Sequence, residues 1–206
     1  FWGKIKLIGD DGQKSTGSYL VRGSVAREVK AATKSGNFYT GNLSESKNVM
    51  HIPTGQIQQD VQRTATAALN SGTSPETRVE YGGHVLFGDT NARIWDAGTT
   101  MQTQILSDGS TEKKWSVKPF KIGGKNNQFG GLISQIQFFW HIHPNGSTPS
   151  RGDIWWVGEL RKYGFTGNSF LIDINNNRVI FFNEKGSLMN IKYDDFKRMG
   201  KQEDIK

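Results

Sequence analysis

Two histidines two residues apart, in His141-Ile142-His143-Pro144, are the residues of this chain whose spacing first suggests chemistry. On a β-strand, side chains i and i+2 point to the same face, so both imidazoles can serve one metal ion. Asp153 follows in Ser150-Arg151-Gly152-Asp153, in the first turn of a predicted helix. Two histidines and one carboxylate, with a fourth position left for water, form the donor set of a catalytic zinc site; a structural site closes with four protein ligands. A solitary strand histidine is ordinarily a satisfied polar group. The chain has four histidines in all, and two of them share this motif ahead of a proline break, which favours the ligand reading. Zinc is preferred over iron or manganese on ligand type.

Ser150 has two compatible roles. It is a good helix N-cap, and Asp153 sits three residues on, where its carboxylate complements the helix N-terminus. The same helix start can also deliver both side chains beside a metal. Arg151-Gly152-Asp153 spells an integrin-binding tripeptide too, a common chance occurrence, and Asp153 is better used as a ligand. Hydrolysis at a metal needs a general base. Glu80, in Val79-Glu80-Tyr81-Gly82-Gly83-His84, is the candidate: a charge in an otherwise apolar run through Val85, Leu86 and Phe87 needs a reason to be there. Gly82 and Gly83 would let a backbone or a substrate approach closely. Glu76 and Glu112 lack that glycine context. His84 shares the face of Glu80 on a regular strand and is a candidate outer partner.

These groups need strands and helices to hold them. The run Leu132–His143 predicts a strong strand that stops at Pro144, and Arg151–Tyr163 predicts a helix closed by Gly164. Upstream, Thr54 opens a helix with Ile57, Val61, Ala65, Ala68 and Leu69 at helical spacing, ended by Asn70-Ser71-Gly72; a strand follows over residues 78–87. Residues 88–130 read as short strands and glycine-rich turns. Strands over 169–174, 178–183 and 187–193 are joined by Asn175-Asn176-Asn177 and Glu184-Lys185-Gly186 turns, and a short helix runs from Tyr193 to Met199. The order predicts an α/β fold with a mixed central sheet flanked by helices. Residues 1–48 read as an N-terminal extension and linker: strand-like patterns at 3–8 and 19–21, a helix from an N-cap at Ser24 to Lys34, and a Gly/Asn/Ser-rich stretch over 36–48. Residues 49–206 read as the main domain.

The chain has 206 residues, 34% of them hydrophobic and 11% aromatic, enough for a real core with 25 glycines in its turns. No apolar run approaches the length of a transmembrane helix. There is no cysteine, which excludes disulfides, thiol nucleophiles and cysteine-ligated zinc. The net charge is +7, which favours acidic partners. The basic residues are spread out with no stripe or run, so a nucleic-acid partner is not favoured. The chain begins at Phe1 without a visible leader, which predicts a piece of a longer protein.

An upstream Glu in Glu-x-Gly-Gly, then His-x-His-Pro, then Ser-x-x-Asp resembles the pattern of JAMM (JAB/MPN) metallopeptidases, over roughly residues 54–195. The resemblance implies a cytidine-deaminase-like sheet. It implies Zn2+ held by His141, His143 and Asp153, Glu80 as the base that takes a proton from the attacking water, and Ser150 as an oxyanion donor. It implies a protein or peptide substrate, cleaved at a peptide or isopeptide bond. Two departures stand out: the loop from His143 to Ser150 is a residue shorter than usual, and Ile142 replaces a polar residue at a position that faces away from the metal. Phe1-Trp2-Gly3-Lys4-Ile5 through Tyr19-Leu20-Val21-Arg22-Gly23 looks like the toxin region behind the core of Rhs-type polymorphic toxins. That resemblance implies secretion or delivery into a target cell within a larger effector, and an acidic cognate immunity protein. Two other classes remain open: a metal-dependent nuclease, for which the basic charge speaks, and a JAMM-like binding module without catalysis.

Overall fold

The computed structural model describes residues 18–37, 39, 48–95, 98, 102–105, 107–114, 133–144 and 146–199. The strand-like pattern at residues 3–8, most of the 36–48 linker and the glycine-rich loop at 123–131 lie outside them. In chain order the strands are β1 (Ser18–Val21), β2 (Val49–Ile52), β3 (Gly82–Leu86), β4 (Arg93–Ile94), β5 (Gln102–Ile105), β6 (Thr111–Lys114), β7 (Ile136–His143), β8 (Ser169–Asp173), β9 (Arg178–Asn183) and β10 (Gly186–Lys192). The helices are α1 (Gly23–Lys34), α2 (Gly55–Asn70), α3 (Arg151–Lys162) and α4 (Tyr193–Met199).

The main sheet has the order β10-β9-β8-β7-β3-β4. Only the β7–β8 pair is parallel; the others run antiparallel, so the sheet is mixed as expected. β7 lies inside it. Its sequence, Ile-Gln-Phe-Phe-Trp-His-Ile-His, is β-branched and aromatic and covered on both faces, which explains the near-continuous apolar run. Phe138, Trp140 and Ile142 face one core with Val61, Ala65 and Ala68 of α2 and Phe196 of α4. Phe139 faces a second core with Val157 and Leu160 of α3, Leu171 and Phe182. Helices therefore cover both sides of the sheet. The chain leaves β7, crosses through α3 and returns as β8 parallel to β7. A crossover of this kind opens a crevice at the carboxyl ends of its strands, and that is where His143 stands.

Helix α3 starts where its chemistry says it should. The Ser150 Oγ accepts from the Asp153 backbone N–H (3.2 Å) and the Asp153 carboxylate accepts from the Ser150 N–H (2.6 Å), a reciprocal capping box. In α1 the N-cap is Arg22, without a side-chain bond, and not Ser24; the helix begins two residues earlier, at Gly23, whose φ is +60°. Before β7, residues Ile133–Gln135 form a 3-10 turn in place of strand, and Arg78–Tyr81 precede β3 outside regular strand, with the Tyr81 carbonyl still accepting from the Ile142 N–H at 2.7 Å.

β1 pairs antiparallel with β2, Ser18 opposite Ile52 and Val21 opposite Val49. A boundary at 48/49 thus runs between two hydrogen-bonded strands. β2 also anchors this unit. Met50 and Ile52 enter the main core, and the Val49 carbonyl accepts from Asn168 Nδ2 at 2.7 Å. No helix among the described residues is long and apolar enough to cross a membrane.

Candidate metal centre

The antiparallel register of β3 on β7 sets Gly82 opposite His141 and His84 opposite Phe139. Glu80 enters the same neighbourhood just ahead of the strand. Its Oε1 lies 3.7 Å from His143 Nε2, and the residue is 8% exposed. From the other side, the capping box turns Asp153 toward the histidines. His141 Nε2 lies 2.9 Å from His143 Nε2 and 3.2 Å from Asp153 Oδ1, and His143 Nε2 lies 3.6 Å from Asp153 Oδ2. All three expected ligands converge, and Glu80 stands beside them.

The spacing is compatible with a metal. Ligand atoms about 2.05 Å from a tetrahedral zinc lie about 3.3 Å apart along each edge; the histidine nitrogens lie 2.9 Å apart, and the 3.2 and 3.6 Å separations from Asp153 run to its two different oxygens. The donor set fits as well, with two imidazole nitrogens and one carboxylate oxygen. Burial strengthens the case. Both histidines are buried, and the ion-pair partners of Asp153 are these two imidazoles. Burial, the largest influence, opposes ionisation of Asp153, yet the charges and hydrogen bonds of His141 and His143 outweigh it and hold the carboxyl well below its usual range. Acidic oxygens and imidazole nitrogens brought this close out of water require a cation or shared protons among them.

Sequence reasoning missed the groups that orient these candidate ligands. Ser147 Oγ lies 2.7 Å from His143 Nδ1, with the Ser147 carbonyl at 3.3 Å. A proton on Nδ1 shared with these oxygens leaves the Nε2 lone pair for a metal. The loop carrying Ser147 is held by the β8–β9 turn. Asn175 Nδ2 donates to the Pro144 carbonyl (2.7 Å) and Asn176 Nδ2 to the Gly146 carbonyl (3.0 Å). Asn176 is fixed in turn by Asp173, which stands opposite His143 on β8 and accepts from Arg178 Nε at 3.0 Å. At Gly146 φ is +81°, and a Cβ there would meet Asn176 Nδ2 at 2.6 Å, so glycine is required. The Asn175-Asn176-Asn177 run signalled a turn; only the tertiary fold shows that the turn clasps the ligand loop.

Of the two approaches expected at Gly82 and Gly83, that of backbone is present, the Trp140 and Arg93 carbonyls, and aromatic side chains join it. A Cβ on Gly82 would meet the Trp95 ring and the Trp140 carbonyl at 2.7 Å, and one on Gly83 would meet the Trp140 ring at 2.6 Å. His84 Nδ1 accepts from Trp95 Nε1 at 3.0 Å, so His84 fixes the indole that covers Gly82. Ile142 faces the opposite core, as expected. Glu76 is exposed and its Oε2 accepts from Ser74 Oγ, while the side chain of Glu112 lies outside the description. Comparison with protein-family models, curated proteins and solved structures gives no match.

Proposed function

We propose that this chain is a zinc-dependent hydrolase of the JAMM type, with a cytidine-deaminase-like sheet, cleaving a peptide or isopeptide bond. The observation that carries the reading is the convergence of the His141 and His143 Nε2 atoms and the Asp153 carboxylate within 3.6 Å of one another, with the Glu80 carboxylate 3.7 Å from the His143 nitrogen. His141 Nε2, His143 Nε2 and an Asp153 oxygen would hold the metal. When bound, zinc supplies a Lewis acid that acidifies water and polarises a carbonyl.

The chain's own groups do the rest. Glu80, buried beside the proposed ligands, would take a proton from the attacking water on its carboxylate and return it to the leaving amine. Ser150 Oγ spends a lone pair on the Asp153 N–H, which leaves its hydroxyl proton available for a developing oxyanion. The Asp153 Oδ2 is held by the Ser150 N–H, so the helix cap and the ligand geometry are one arrangement. Trp95 over Gly82 and the Phe139 wall keep water off the inner side of the site.

The toxin setting is a separate part of the proposal. A +7 chain suits an acidic immunity protein, and the N-terminal resemblance suits delivery within a larger effector. The nuclease alternative draws on the same charge. Among the described residues one His/His/Asp group could hold a metal, which favours single-metal hydrolysis over a two-metal phosphodiesterase. The test is expression in a bacterial host, comparing wild type with Glu80→Gln. Growth arrest with new protein termini in the wild type, absent in the variant, supports the peptidase; loss of plasmid or RNA integrity in its place overturns it for the nuclease.

A further inference from the structure

Arg78 lies two residues before Glu80. Its Nη1 donates to Asn175 Oδ1 at 2.9 Å, and the amide of the same Asn175 donates to the Pro144 carbonyl, directly after the ligand His143. The guanidinium is therefore tied to the loop that leaves the metal centre. Its Nε is buried with no acceptor among the described residues. Arg93, Arg161 and Arg178 each hold a carboxylate of this fold. Arg78, among the described residues, joins no ion pair and bonds only a neutral amide. A divalent metal would neutralise Glu80 and Asp153 between them, leaving Arg78, on the Glu80 side, and the exposed Arg151, beside Ser150, as cations without an ion pair among the described residues.

We infer that Arg78 forms a subsite that binds a carboxylate of the substrate, close to the scissile carbonyl. The inference rests on the hydrolase reading above and names its substrate class: a chain carrying an Asp or Glu side chain, or a free C-terminus, next to the bond that is cut. With Nε buried, the donors open to a carboxylate are at the terminal Nη1 and Nη2 end of the planar guanidinium. The tie to Asn175 pre-orders the side chain, which lowers the entropy lost on binding.

The test uses the zinc-loaded full chain in a Glu80→Gln background, so that no probe is turned over. Three probes are titrated by calorimetry or NMR: acetyl-Ala-Ala-Ala-amide, acetyl-Ala-Glu-Ala-amide and acetyl-Ala-Ala-Ala with a free carboxylate. The expected result is about tenfold tighter binding of at least one carboxylate probe than of the neutral amide. Arg78→Gln abolishes that preference and leaves the neutral probe unchanged, and Arg78→Lys restores part of it. The probe that gains tells a side-chain carboxylate from a terminal one. A preference that survives Arg78→Gln reflects carboxylate on the metal and overturns the inference. So does equal weakening of all three probes, which marks a structural role, or the absence of any preference. Zinc content is read on the same samples: no zinc sinks the hydrolase reading, whereas normal zinc without carboxylate preference sinks this inference alone.

Discussion

Ser147→Ala isolates the orientation of one proposed ligand, His143. For His143 to offer its Nε2 lone pair, the ring proton must sit on Nδ1, and the Ser147 hydroxyl 2.7 Å away is its best acceptor. Loss of such an outer partner lowers metal affinity by about 10- to 100-fold. The Ser147 carbonyl at 3.3 Å survives the substitution as a weaker acceptor, which places the effect at the lower end. We expect zinc affinity to fall about tenfold, ~1.4 kcal/mol, with Ser147→Thr close to wild type because it keeps the hydroxyl. Competition for zinc against a chromophoric chelator at neutral pH reads the change, with the urea midpoint as the control for folding. Ser147 is half-buried and outside both main cores, so the midpoint should stay put. Affinity within twofold of wild type would refute the reasoning, as would a loss that merely follows unfolding.

Ser150→Gly keeps most of the helix cap, at a cost of a few tenths of a kcal/mol, but removes the donor proposed for the oxyanion; turnover should drop by about 100-fold or more with the melting point little changed. Gly82→Ala sets a Cβ 2.7 Å from the Trp95 ring and the Trp140 carbonyl, and should destabilise by about 2–3 kcal/mol in urea titrations. His51 and His84 are held neutral, each at about 4 against an ordinary 6.5. Burial is the main cause for both, and Arg93 adds to it at His84 while Asp89 opposes it. Between pH 6.5 and 4 the unfolded chain takes protons that the folded one refuses. Stability is therefore full above that window and falls as pH drops through it, by up to ~3 kcal/mol per histidine. His51→Phe should remove about half of this loss.

Much of the architecture was legible locally. The period of two across His141-Ile142-His143 placed both imidazoles on one face, and the Ser150–Asp153 spacing marked the cap that aims the carboxylate. The hairpins of β8, β9 and β10 and the helix Tyr193–Met199 follow from turn residues and short-range pattern. What escaped depends on partners far apart in sequence. The pairing of β1 with β2 joins strands on either side of α1, and local pattern does not name that partner. Trp95 over Gly82 and the Asn175–Pro144 and Asn176–Gly146 bonds are decided by how the sheet stacks its loops. Glycines at 82 and 83 signal close approach but do not name what approaches.

Zinc content by elemental analysis of the purified wild type, His141→Ala, Asp153→Ala and Glu80→Gln tests the central claim most directly. The account predicts equimolar zinc in the wild type and in Glu80→Gln, and its loss from both ligand variants while they remain folded. A folded wild-type chain that takes up no zinc, or ligand variants that retain it, would contradict the assignment of His141, His143 and Asp153 as a metal centre.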